Sequence, residues 1–142
     1  MLSIYTGILT SISGGILNSC RTVTSILKYK NIDVTSRINA LDISCKLKTI
    51  EALLKSLDIK DEQNVDDDPI VVSLRYLNEI IDVIHKDLDL INRKVNYHKT
   101  KWFNRWRTLN IKEDMNKLEI DCQILDDRFT RFIEICKIKS LK

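Results

Sequence analysis

One proline, three glycines and two histidines in 142 residues exclude whole classes of protein. Proline and glycine punctuate turn-rich chains, so their scarcity argues against a β protein of many short strands and favours long helices. Histidine is equally sparse. Neither His85 nor His98 has a Glu three residues before it, so the Glu-x-x-His signature of di-iron bundles is missing. There is no glycine-rich phosphate loop, no paired metal-ligand spacing and no nucleophile elbow. The carboxylates Asp114, Glu119, Asp121, Asp126 and Asp127 fall mostly at polar helix positions and read as a solvated face. These absences predict a protein that is not an enzyme, with no cofactor and no metal. The four cysteines, at 20, 45, 122 and 136, form no Cys-x-x-Cys. Three of them, Cys45, Cys122 and Cys136, fall at helical core positions, as small apolar thiols of a reduced intracellular protein would.

The most telling absence is local. Residues 1–20 carry no charged side chain in a protein that is 30% charged. Within them a small residue recurs every fourth position: Ser3, Gly7, Ser11, Gly15, Ser19. One step behind runs an isoleucine row: Ile4, Ile8, Ile12, Ile16. On a helix such rows make a smooth groove beside an apolar ridge, and small-xxx-small faces let backbones approach closely, above all in lipid. Two readings follow: a helix buried in its own bundle, or one that packs at rest and can leave for a membrane. The stretch lacks the basic start of a signal peptide, and its Ser, Thr, Asn and Gly dilute it below a constitutive transmembrane span.

A chain of this length buries one core. Hydrophobic spacing predicts four helices, at about 3–29, 35–57, 69–97 and 110–138. The third is the cleanest, with Ile70, Leu74, Leu77, Ile81, Ile84, Leu88, Ile91 and Val95 alternating four and three apart. The fourth repeats this with Ile111, Met115, Leu118, Cys122, Leu125, Phe129, Phe132 and Cys136. Asp33 or Thr35 can cap the second helix, and Asp68 with Pro69 the third. Asn110 with Glu113 reads as a capping box for the fourth. The acidic stretch 58–68 reads as a solvated loop. The fold predicted is all-α, an antiparallel four-helix bundle in a single domain spanning 1–142, its N-terminal helix apolar and rich in Gly, Ser and Ile.

Between the third and fourth helices, residues 98–109 form a basic, aromatic elbow. Trp102 and Trp106, the only tryptophans, are interleaved with Lys99, Lys101, Arg105 and Arg107. Such residues can plug the end of a bundle. They also suit a membrane–water interface, where indole sits at headgroup depth and cations meet anionic lipid. No nucleic-acid reader motif is present, and nucleic acid is not an expected partner.

The uncharged N-terminal helix leading into Asn18-Ser19-Cys20 resembles the start of fungal HeLo-type domains. The C-terminal half (SLRYLNEIIDVIHKDLDLI, KWFNRW, LNIKEDMNKLEIDCQILDDRF) resembles the bundle of the mixed-lineage kinase domain-like pseudokinases. Similar bundles head plant helper immune receptors. The resemblance spans roughly the whole chain but is carried by a helical pattern and an elbow, not by a strict motif. It implies an executioner of regulated, necroptosis-like or immune cell death. Such a domain is cytoplasmic at rest, then self-associates at the plasma membrane and permeabilises it. It further implies a sensor or kinase-like regulatory partner, with this chain either an excised domain or a stand-alone version. The residues nominated for insertion and oligomerisation are Ile4, Gly7, Ile8, Ser11, Ile12, Gly15 and Ile16. Those nominated for anionic lipid are Arg21, Lys28, Lys30, Lys99, Lys101, Trp102, Arg105, Trp106 and Arg107. The competing expectation is a helical adaptor that binds a partner helix through its bundle faces.

Overall fold

The computed structural model describes residues 4–57, 68–100 and 110–140, and all of its secondary structure among them is helical. Five helices follow in order: α1 (Ile4–Leu27), α2 (Ile32–Leu41), α3 (Ile43–Ser56), α4 (Pro69–Thr100) and α5 (Lys112–Ser140). The heptad positions meet in one core. Leu74, Leu77, Ile81, Ile84, Leu88 and Ile91 of α4 are essentially sealed, as are Met115, Leu118, Leu125 and Phe132 of α5. Ile70 and Cys136, at the ends of the rows, and Phe129, within the second, are half-buried.

The predicted second helix is broken in two. Asp42 adopts a left-handed conformation (φ 51°, ψ 40°), and its N–H donates to the Asn39 carbonyl at 3.1 Å. Its own carbonyl accepts from the Lys46 N–H at 3.1 Å, so one residue closes α2 and opens α3. Asp is among the few residues that tolerate this geometry, and periodicity does not register such a bend. The helix also starts earlier than predicted. Asn31, rather than Asp33 or Thr35, is its cap, accepting from the Val34 N–H at 3.2 Å. Asp68 caps α4 as expected, through the Ile70 N–H at 2.8 Å, with Pro69 in the first helical position. The fourth predicted helix, α5, begins at Lys112, two residues beyond Asn110. Cys45, predicted for the core, is exposed: α3 buries Ile43, Leu47, Ile50 and Leu54, and Cys45, two residues from Ile43 and from Leu47, lies on the opposite side of the helix.

α1 packs chiefly on α4, and α4 in turn on α5. Ser11 bonds to Asn78, Ser25 to Asn92 and Tyr29 to Asn96, each pair 67 residues apart. A constant offset means that α1 and α4 run side by side in the same direction. The first and third helices of an up-and-down chain point the same way, and here those two helices are also neighbours. Across the α4–α5 seam the register reverses: Asp87 meets Lys117, while the earlier Glu79 meets the later Arg128. α3 lies along the other flank of α1, and Arg37 of α2 reaches Glu119 and Asn116 of α5.

Candidate functional site

The N-terminal rows divide once folded. Ile12 and Ile16 are core residues, 1% and 2% exposed, while Ile4 and Ile8 are half-buried. The small row turns partly toward α4. Ser11 Oγ–H donates to Asn78 Oδ1 at 3.3 Å, and a Cβ at Gly15 would lie 3.0 Å from Ile81 Cγ2. Ser19 is fully buried, and its hydroxyl finds no hydrogen-bond partner. Gly7 and Gly14 instead open outward, with nothing within 4 Å of a Cβ built there. With Thr10, Leu17 and Asn18 they form an outward strip of α1 without charge, ending at exposed Arg21. Beside this strip two shallow depressions of ≈ 280 and ≈ 310 Å³ follow the α1–α3 seam, floored by Leu9, Ile16 and Leu54 and rimmed by Lys48, Glu51 and Lys55.

Arg21, Lys28 and Lys30 are exposed. The parallel α1–α4 pairing carries the end of α1 to the end of α4, where Tyr29 O–H donates to Asn96 at 2.9 Å. Lys28 and Lys30 therefore lie at the end of the bundle where α4 finishes, although about seventy residues separate them from the elbow in sequence. Lys99 lies in the last turn of α4, and Lys101, Trp102, Arg105, Trp106 and Arg107 lie outside the described residues.

One polar cluster departs from the predicted solvated face. Asp121 is not on it: Asp121 of α5 and Asp87 of α4 are each only 7% exposed. Lys117 Nζ bridges them, at 2.7 Å from Asp87 Oδ1 and 2.8 Å from Asp121 Oδ2. Burial first, and the facing Asp121 second, push the Asp87 carboxyl up to about 6 against the pull of Lys117. Burial opposes the charge of Asp121 too, but bonds from Asp87 and Lys117 outweigh it and hold that carboxyl low. Neighbouring Cys122 is pushed up to about 12, chiefly by burial, which leaves it a poor nucleophile.

Two sets of residues escaped the sequence reading. Asn78, Asn92 and Asn96 occur at intervals of fourteen and four on α4, yet only the α1 register shows that they receive hydrogen bonds. Asp87 stands beside the Ile84–Leu88 row, where a buried acid leaves no periodic signal.

Among the described residues no group of three or more His, Cys, Asp or Glu could hold a metal ion, and no helix is long and apolar enough to cross a membrane. What the fold and its surfaces define is an all-helical, bundle-type domain with a neutral outer strip on its first helix. No family model matches the chain, and no solved structure matches it. It is 36% identical to the uncharacterized protein L717 of Acanthamoeba polyphaga mimivirus, in an alignment of 156 positions covering 93% of this chain and 76% of that protein. The chain belongs to the family of that mimiviral protein.

Proposed function

We propose that the protein is a non-catalytic, antiparallel-type four-helix bundle that self-associates on anionic membranes and permeabilises them. It serves as an executioner domain of regulated cell death under a sensor or kinase-like partner. On this reading it rests in the cytoplasm and moves to the plasma membrane when activated. The observation that supports it is the way α1 is held. Six ion pairs between residues far apart in sequence join α5 to α2, α3, α4 or the α4 cap. α1, whose only charged residue is Arg21, is held by apolar packing and neutral hydrogen bonds. A lipid phase can replace apolar packing, but it cannot replace a buried ion pair.

The magnitudes limit how this can happen. Tyr5, Ile12, Ile16, Val23 and Ile26 are buried on α1. Exposing five such side chains to water costs roughly 8–15 kcal/mol at about 1.5–3 kcal/mol each. That equals the whole stability of a typical domain, about 5–15 kcal/mol. α1 therefore leaves only when lipid or other copies cover the same surface as it goes. Release of a trapped dye from anionic vesicles tests the proposal. An intact, monomeric bundle that never releases dye at any lipid ratio overturns it.

The α1–α3 seam favours a second reading, a helical adaptor. Leu17 and Leu53, 51% and 42% exposed, lie on the two helices that form this groove, which would accept the apolar face of a partner helix. Binding without leakage is the result that assigns the protein to this class.

A further inference from the structure

Asp87 and Asp121 approach from facing helices at the edge of the α4–α5 seam, both bonded to Lys117. Each is only 7% exposed, and Asp87 Oδ2 is sealed from solvent with no donor to bond it. Both bond the one Lys117 ammonium, at 2.7 Å and 2.8 Å, which holds their oxygens within about 5.5 Å of each other. Two carboxylates held so close in a buried place repel when both are charged, and a proton on one removes the repulsion and supplies a donor to the other. Lys117 supplies one positive charge for two negative ones, and its ammonium stands mostly in solvent, 59% exposed. Other nearby charges are already engaged: Lys94 with Asp114 one turn along, Lys46 of α3 with Asp126, and Arg37 of α2 with Glu119. On α4 itself Lys86 pairs with Asp82 and Arg93 with Asp89, and α1 offers only the exposed Arg21. Nothing in that ring neutralises the second carboxylate.

We infer that Asp87 and Asp121 form a proton-binding pair that clamps α4 to α5, tightening the bundle when one proton is shared and loosening it when that proton leaves. The proton comes from solvent, adds to an Asp87 oxygen and is donated to Asp121, while Lys117 keeps its bond to the remaining charge. The sign is fixed by linkage. An unfolded Asp releases its proton near 3.8 and the folded Asp87 near 6, so between those values the folded chain binds more protons. The added stability is complete below about 3.8 and is lost as the pH rises through about 6. Membrane activity plays no part in this inference.

Urea unfolding of the full chain at pH 5 and pH 7.5, alongside Asp87→Asn, tests it. The folding constant of the parent, relative to that of Asp87→Asn, should rise roughly tenfold from pH 7.5 to pH 5. Asn is isosteric, donates to Asp121 at any pH and mimics the protonated state. The variant should therefore exceed the parent in stability at pH 7.5. A variant that keeps the parent's pH slope, or is weaker than the parent at pH 7.5, overturns the proposal. Should Asp87→Asn fail to fold, carboxyl-carbon NMR of the parent decides: one aspartate with a midpoint near 6 supports the pair, and none above about 5 refutes it.

Discussion

Gly15 of α1 faces Ile81 of α4 so closely that a methyl in place of its hydrogen would lie 3.0 Å from the Ile81 Cγ2. Ile81 is fully buried and β-branched, so it has little freedom to retreat. Ala favours a helix interior over Gly by about 0.8–1.0 kcal/mol. Gly7→Ala and Gly14→Ala, which meet nothing within 4 Å, should each approach that gain. Gly15→Ala should gain clearly less, and Gly15→Leu should lose about 1–3 kcal/mol through overpacking. Urea midpoints rank the series. Equal gains at all three glycines would show that α1 does not press on α4.

The sealed seam residues provide the core test. Leu88 and Leu125 are 0% and 1% exposed. Leu88→Ala and Leu125→Ala should each cost about 2–5 kcal/mol, from lost burial and the remaining cavity. Thermal melting of the two variants checks it, and a parent-like melting temperature in both would mean that these rows do not face a core.

Ser19 carries the opposite expectation. Its hydroxyl is fully buried without a partner, an arrangement that costs about 1–3 kcal/mol when a polar group is left unsatisfied. Ser19→Ala should raise stability in equilibrium unfolding, helped slightly by helix propensity. A clear loss would reveal a hydrogen bond that this fold does not contain.

Acid should weaken the start of α4. Burial raises the Asp68 carboxyl, but the Ile70 N–H and the Lys139 ammonium outweigh it, with help from the Val71 N–H, and hold it low. Its contribution is therefore present above the ordinary value of 3.8 and is lost as the pH falls below it. Asp68→Ala should cost about 0.5–2 kcal/mol at neutral pH and much less at pH 3. The same penalty at both values would assign Asp68 a role other than a charged cap.

The membrane reading makes its own demand on the cations. Lys28→Glu with Lys30→Glu should weaken binding to anionic vesicles, and reversal of Lys99, Lys101, Arg105 and Arg107 should weaken it further. Each cation near such a surface contributes about 1 kcal/mol. Vesicle co-sedimentation at several salt concentrations measures this, with helicity as the folding control. Binding that ignores both sets of substitutions removes these residues from any lipid role.

Helix existence was legible because packing demands a period. In α4 every interior heptad apolar residue predicted for the core, from Leu74 to Val95, is buried there. The break at Asp42 was not legible, since a single left-handed residue between two amphipathic segments leaves their spacing almost undisturbed. The row Ser3, Gly7, Ser11, Gly15, Ser19 was visible as a pattern, but not which member faces what: Gly15 presses on Ile81 while Gly7 opens outward.

Local composition determined that this chain is helical, where its longest apolar faces lie and which turn carries the Asp68–Pro69 start. These are properties of neighbours three or four residues apart, and they hold wherever the helix is placed. Tertiary structure alone decided that α1 lies beside α4, that Asn78 and Asn92 receive Ser11 and Ser25, and that Asp87 and Asp121 share Lys117 across the α4–α5 seam. Those contacts join residues dozens of positions apart, and a helical face does not encode which other face it will meet or in which direction.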